Sequence, residues 1–322
     1  MENCIACGFS DIRFLIGRID KYVYRYCANC SLVLSDPMPT QNELVAYYDG
    51  FMGGSVEAGS DFDYKLSSRK TIAKNYISWI RQVEPLFDPN GARLVDVGGG
   101  AGFFSEGFRL QGLLPTLIDI DPKACEYVRS TFQKNIETVN SDPIEADLLQ
   151  EFDVVFMNQV IEHYVDPNAL IQKAMTWLKP GGFLILTTPN QMSRFFWFSI
   201  HFFYDYLRKT SQEVLPMKSF IRFMKMPWIC CDPPRHVYAF NPINMEFLLK
   251  KNGLRIVKIL TEMNSFCRYV GKMHYRWTVK TPRDIISIFG KLYELGGSSL
   301  IHSLNPKKNW GHHVIALARK PG

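Results

Sequence analysis

The run Leu94-Val95-Asp96-Val97-Gly98-Gly99-Gly100-Ala101-Gly102-Phe103-Phe104 constrains this chain more than any other stretch. Apolar strand formers lead into a cluster of glycines, and a helix is expected to open at Phe103 and run to about Leu110, with free amides at its start. So tight a turn needs residues without a Cβ, and their absence lets a ligand approach the backbone. Strand, glycine turn and helix in that order form the nucleotide-binding edge of an α/β domain. Asp96 stands just before the glycines. A carboxylate there suits a positively charged amine better than a pyrophosphate, and the glycine spacing departs from the dinucleotide form.

The following sequence repeats the alternation. Leu117-Ile118-Asp119-Ile120-Asp121 ends a second strand, with Asp119 about twenty residues past the glycines, where an acid meets ribose hydroxyls. Residues 136–139 form a third strand, and Asp142 in the loop after it is expected at an adenine amine. Asp153 to Met157 is the fourth, with Asn158 to His163 at its end. A helix over 168–178 is closed by Lys179-Pro180-Gly181-Gly182 before a strand from Phe183 to Thr187. Alternating strands and helices imply a mostly parallel sheet with ligands at its carboxyl edge. Upstream, Ile72, Tyr76, Ile77, Ile80 and Val83 share one side of a helix over Ser67–Val83, and Thr40 with Glu43 forms a capping box.

Cys4-x2-Cys7 and Cys27-x2-Cys30 are separated by nineteen residues. Two such knuckles present four sulfurs to one tetrahedral zinc ion, and the residues between read as short strands of a zinc ribbon. With all four positions filled by sulfur, the site is structural rather than catalytic. Free thiols or redox pairs are the competing reading.

Together these residues resemble the class I S-adenosylmethionine-dependent methyltransferases. The resemblance runs through Val95–Gly102, Asp119, Phe152–Val155, Ile161-Glu162-His163-Tyr164-Val165-Asp166-Pro167 and Leu178–Gly182, about a third of the chain. It looks closest to small-molecule enzymes with a Glu-His pair after the fourth strand. Pro234–Pro242 followed by Leu248–Leu254 recurs in that group. The cysteine ribbon in front resembles bacterial enzymes acting on nucleotide-linked sugars or natural-product scaffolds. The resemblance implies a Rossmann-like, mostly parallel seven-stranded sheet with an antiparallel last strand, Gly311 to Ala318. It also implies S-adenosyl-L-methionine as cofactor, held by Asp96, Gly98, Gly100, Gly102, Phe103, Asp119, Ile120, Asp142 and Asn158. Zn²⁺ at Cys4, Cys7, Cys27 and Cys30 would be structural. Gly99 replaces a bulkier residue of many relatives, a change expected to be tolerated.

Methyl transfer to an alcohol or carbon acid needs a base. His163 and His236 are the candidates, since histidine titrates near neutrality. Glu162 is paired with His163 in sequence, and Arg235 is placed to neutralise an acidic substrate. His312 and His313, on the last strand, read as supporting packing or the insertion, and nothing specific selects His201. The competing role for His163 is structural pairing with Glu162 or a backbone carbonyl, and that for His236 is a substrate clamp.

Residues 191–235 hold eleven aromatics and seven Arg or Lys against three Asp or Glu. The segment reads first as a lid or oligomer surface with buried aromatics, and second as a pocket wall for a phosphate or carboxylate. The stretch 261–308, with a helix over 282–295, is a second insertion that would cover the site or form a homodimer contact. The expected organisation is a ribbon over 1–36, a helical linker and cap over 37–85, and a methyltransferase domain over 86–322 with both insertions. The glycine-rich residues 50–59 read as mobile or wrapped.

The formal charge of +6 fits an anionic small molecule, a carrier or nucleic acid equally. Nucleic acid is disfavoured because the ribbon is not strongly basic and Asn158-Gln159-Val160-Ile161 lacks the Asn/Asp-Pro-Pro-Tyr/Phe form. A protein substrate, a non-catalytic cofactor-binding scaffold and a nicotinamide oxidoreductase are the remaining alternatives. No secretory signal or membrane-length apolar run is visible, so the expected location is cytoplasmic.

Overall fold

The computed structural model describes residues 3–19, 21–40, 42–44, 46–47, 62–133, 135–149, 151–192, 233–262, 311 and 313–322. The glycine-rich stretch 50–59, most of the lid at 193–232, His201, the insertion at 263–310 with its helix over 282–295, and His312 lie outside these residues. The chain divides into two units. One comprises Met1–Met38, Pro189–Met245 and Leu260–Ile315; the other comprises Pro39–Thr188, Glu246–Ile259 and Ala316–Gly322.

The second unit is built on a seven-stranded sheet. Its strands are β4 (Arg93–Val97), β5 (Leu114–Asp119), β6 (Glu137–Asn140), β7 (Phe152–Asn158), β8 (Leu178–Pro189), β10 (Arg255–Glu262) and β11 (His313–Arg319), in the order β10-β11-β8-β7-β4-β5-β6. Strand β4 is parallel to both β5 and β7, and β5–β6 and β7–β8 are parallel pairs. Leu94, Val95 and Val97 have no exposed surface, as expected of a parallel strand covered on both faces.

The helices have legible starts. Helix α3 (Pro122–Thr131) begins where Asp121 Oδ1 accepts from the Lys123 amide at 2.9 Å. Helix α4 (Pro167–Trp177) begins where Asp166 Oδ1 accepts from Asn168 and Ala169 at 3.0 and 3.1 Å. Each has proline at its first position, where the missing N–H costs nothing. The Thr40–Glu43 capping box forms, with the Thr40 amide donating to Glu43 Oε2 at 2.8 Å.

Helix α1 (Phe62–Val83) starts ahead of the expected Ser67, because the Phe62 ring packs against Phe103 and Phe132 at centroid distances of 5.2 and 6.1 Å. Ala73, Tyr76, Ile77 and Ile80 are its buried residues, whereas Val83, expected on that side, is exposed. Helix α1 crosses α2 (Phe103–Arg109) at Gly107, where a Cβ would stand 2.9 Å from the Arg69 carbonyl carbon. Only glycine permits that approach.

Lys179-Pro180-Gly181-Gly182 differs from expectation. Helix α4 ends before it, and β8 runs through it. The Gly181 amide donates to Lys320 O at 3.2 Å and the Lys320 amide to Gly182 O at 2.9 Å. Turn-forming residues are thus drawn into pairing with the chain end. The same bonds set the start of β8 against the end of β11, so the last strand is antiparallel.

The first unit contains a four-stranded sheet in the order β1-β2-β3-β9, from β1 (Ile12–Ile19), β2 (Tyr22–Cys27), β3 (Val33–Asp36) and β9 (Tyr238–Ala239). The first three strands are the expected ribbon meander, antiparallel throughout. The fourth comes from far along the chain: Val33 pairs with Ala239 and Leu34 with Tyr238. Among the described residues, no helix is long and apolar enough to cross a membrane.

Candidate functional site: a carboxylate-lined glycine cradle and a cysteine centre

At the carboxyl end of β4 the chain turns through Gly98, Gly100 and Gly102, all at positive φ. A Cβ on Gly98 would come within 2.8 Å of Val160, and one on Gly102 within 2.7 Å of Val128. Over Gly100 a Cβ would meet nothing within 4 Å. That opening is where a ligand can lie on the backbone. Gly99 is explained by its neighbour, since Leu117 Cδ1 lies 2.5 Å from where its Cβ would be. A side chain there would have to displace Leu117, so the glycine fits this core rather than being merely tolerated.

Two buried acids close on this turn. Asp96 Oδ2 accepts from the Ser105 hydroxyl at 2.6 Å. Burial drives its carboxyl up to about 7; the Ser105 hydroxyl opposes the rise and the Asp119 charge adds to it. Asp119 Oδ2 accepts from the Gly100 amide at 2.8 Å and Oδ1 from the Asp121 amide at 2.9 Å. Burial raises this carboxyl as well, against those amides. Two desolvated carboxylates beside an open glycine turn suit a ligand with a cation and hydroxyl donors, and repel a phosphate.

The remaining expected cofactor residues lie on the same unit. Ile120, after β5, is 49% exposed. Asp142 Oδ1 accepts from the Ile144 amide at 2.9 Å and from the Tyr164 hydroxyl at 3.4 Å. Asn158 Oδ1 accepts from the Thr187 hydroxyl at 2.7 Å. The Phe103 ring is engaged with Phe62 and Phe132.

Glu162 and His163 sit in the 3₁₀ turn Ile161–His163. Glu162 is wholly buried and accepts from the Thr188 hydroxyl at 2.9 Å. His163 Nε2 is 3.9 Å from Glu162 Oε1, an ion-pair distance beyond hydrogen-bonding range. His236 is buried and belongs, with Arg235, to the other unit, just before β9. The two candidate bases are therefore carried by different units.

Sequence reasoning missed Arg69. Its guanidinium lies 4.9 Å from the Phe104 ring centroid, at the first turn after the glycines. Burial lowers its pKa, and among the described residues no carboxylate pairs with it. A signal was present: Arg69, Ala73, Tyr76 and Ile80 fall on one helical stripe, and a cation on an apolar stripe is unusual.

In the first unit the sulfurs of Cys4, Cys7, Cys27 and Cys30 all lie within 4.8 Å of one another, and none is in a disulfide. Cys4–Cys30 and Cys7–Cys27 Sγ separations are 3.6 and 3.5 Å. A tetrahedron of ~2.3 Å zinc–sulfur bonds has edges of about 3.8 Å. The donor set and its spacing fit such an ion.

Sheet order, antiparallel last strand and acid-flanked glycine turn define a class I S-adenosylmethionine-binding methyltransferase fold. A family model described as a methyltransferase domain matches residues 69–259, and the chain belongs to that family. The ubiquinone biosynthesis O-methyltransferase of Xanthomonas axonopodis pv. citri (strain 306) is 33% identical over 117 residues, 35% of this chain and 49% of that protein. Its counterpart from Xanthomonas campestris pv. campestris (strain B100) is 35% identical over 106 residues, 31% of this chain and 44% of that protein. The chain thus spans about half the length of the curated relatives it matches. Among solved structures, a chain of the Haloferax volcanii complex with the Trm112 methyltransferase activator has a TM-score of 0.51 at 12% identity, covering 88% of this chain and 98% of that one. That likeness concerns the fold alone.

Proposed function

We propose that this protein transfers a methyl group from S-adenosyl-L-methionine to an oxygen of a small molecule, a nucleotide-linked sugar or a natural-product intermediate. The observation that carries the reading is the pair of buried carboxylates, Asp96 and Asp119, at the open glycine turn of a methyltransferase-family chain. The activity of the curated relatives, O-methyl transfer, supports oxygen as the acceptor. When bound, the cofactor supplies an electrophilic methyl on a positively charged sulfur.

Within this reading each residue has a task. Asp96 faces the methionyl amine and Asp119 the ribose hydroxyls, exchanging its bonds to Gly100 and Asp121 for them. Ile120 offers an apolar face to the adenine and Asp142 an acceptor to its amine. Gly98, Gly100 and Gly102 leave room for the methionyl chain, and the Phe103 amide and Asn158 line its course. Arg69 takes the methionyl carboxylate, an anion that no described residue supplies to its guanidinium. The acceptor proton goes to His163 or His236, with the buried carboxylate of Glu162 at ion-pair distance to favour the protonated imidazole of His163. Arg235 and the basic, aromatic segment 191–235 favour an anionic acceptor. Zinc at the four cysteines is structural.

The test is turnover with S-adenosylmethionine and a panel of thymidine- and uridine-diphosphate sugars and phenolic acceptors, followed by mass spectrometry of the products. His163→Gln and His236→Gln are assayed beside the parent. The base is the histidine whose loss lowers kcat by about 10²–10⁴ with KM little changed. Methylation of RNA or protein, with none of the small molecules modified, would sink the reading.

A further inference from the structure

The ribbon is not completed by its own residues. Its second cysteine knuckle, Cys27 to Leu32, is a tight turn in which the Ser31 amide donates to Cys27 O at 2.9 Å and the Cys27 amide to Leu32 O at 2.9 Å. Ser31 itself is held at a φ of 59°. The carbonyls on the outside of this turn are taken by distant side chains. Cys30 O accepts from Asn241 Nδ2 at 3.3 Å and from Asn244 Nδ2 at 3.4 Å. Ser31 O accepts from Gln191 Nε2 at 2.5 Å. Beyond the knuckle, the Ser35 amide donates to Val237 O at 3.1 Å, and β9 pairs with β3.

The far side of these contacts is as demanding. Asn241 and Asn244 are buried. Asn241 Oδ1 accepts from the amides of Ile243 and Asn244 at 2.8 and 3.0 Å, starting helix α5 (Pro242–Lys251), while its Nδ2 serves the cysteine turn. Strand β9 has two residues, too few to hold without a partner. Opening the knuckle would leave buried amides without acceptors and β9 without its neighbour. Four sulfurs without an ion cannot keep so small a unit closed.

We propose that the ion held by the four cysteines is the clamp for residues 233–245, so that metal occupancy decides whether the Arg235–His236 segment is ordered. This rests on the zinc reading of the cysteine centre. It makes the centre a positioning device for a candidate base, rather than a stabiliser of the ribbon alone. Coupling of this kind is reciprocal: whatever loosens the segment also loosens the metal.

The experiment uses the full chain. Zinc content is measured, the metal is withdrawn with a chelator, and hydrogen–deuterium exchange is followed by mass spectrometry, with S-adenosylhomocysteine binding as a separate readout. The expected result is at least tenfold faster exchange across 233–245, with peptides across 93–119 still protected and cofactor affinity changed less than threefold. Unchanged protection of 233–245 after the zinc has left would overturn the proposal. If metal removal unfolds the whole chain, Asn241→Asp decides. It keeps the carbonyl-type acceptor that starts α5 and deletes one of the two side-chain donors to Cys30 O. Zinc should then pass to a fluorescent chelator at least fivefold faster than from the parent, and an unaltered rate overturns the clamp. A chain that neither carries nor takes up zinc removes the metal reading and the clamp with it, whereas a zinc-loaded chain without coupling removes the clamp alone.

Discussion

Asp96 offers the sharpest test of how the cradle works. Burial lifts its carboxyl from an ordinary 3.8 to about 7. At about 1.4 kcal/mol for each tenfold change in proton affinity, keeping it charged without a cation costs about 4 kcal/mol. The folded chain holds this proton more tightly than the unfolded chain. The penalty is therefore absent below about pH 4, grows through pH 7, and is constant above it. A bound cation reverses the preference and drives the proton off. S-adenosylhomocysteine, whose amine is positive, should bind about tenfold more weakly at pH 6 than at pH 8, because only about a tenth of the carboxyl is ionised at the lower pH. Calorimetry at pH 6 in buffers of different ionisation enthalpy should show nearly one proton released per ligand. Asp96→Asn should lose affinity by about 10²-fold, flatten the pH dependence and release no proton. It should also raise the melting temperature of the ligand-free protein at pH 8. Undiminished pH dependence in Asp96→Asn would refute the assignment of this proton to Asp96, and with it the role of the buried charge.

Three further outcomes follow from the packing. Arg69→Met should weaken S-adenosylhomocysteine about tenfold or more while leaving methylthioadenosine, which has no carboxylate, unchanged by calorimetry; equal losses for both ligands would make Arg69 a packing residue. Gly107→Ala should destabilise by roughly 1–3 kcal/mol in urea unfolding, although alanine is the better helix former, because its Cβ meets the Arg69 backbone. Gly99→Ala should cost a similar ~1–3 kcal/mol and be partly rescued by Leu117→Val, with a coupling of at least ~0.5 kcal/mol in the double-mutant cycle. Simple additivity would show that Leu117 is not what excludes a side chain there.

The central sheet was legible because its signals are local. Strand β4, the glycines and Asp119 are read within a short window, and both proline-led helices carry their caps beside them. The four cysteines were legible for the same reason. What escaped was set by distance along the chain. Lys179-Pro180-Gly181-Gly182 has the composition of a helix stop, yet its backbone pairs with Lys320, which no local pattern reveals. The reason for Gly99 lies in Leu117, on the neighbouring strand. Tyr238-Ala239 is too short to announce itself as a strand, and its partner is β3. Arg69 had a local sign, a charge on an apolar stripe, but its meaning depends on Phe104 across a helix crossing.

The late arrival of β9 orders events during synthesis. Cys30 and Asn241 are separated by 211 residues. At ~5–20 residues per second, about 10–40 s pass between their emergence from a ribosome. For that interval the ribbon exists as three strands, with its outer edge unpaired and its knuckle carbonyls in water. An isolated edge of that kind invites pairing with other chains. The nascent protein thus has a window in which early capture of an ion by Cys4, Cys7, Cys27 and Cys30 would protect it, and a shortage of metal during translation would do more harm than the same shortage afterwards.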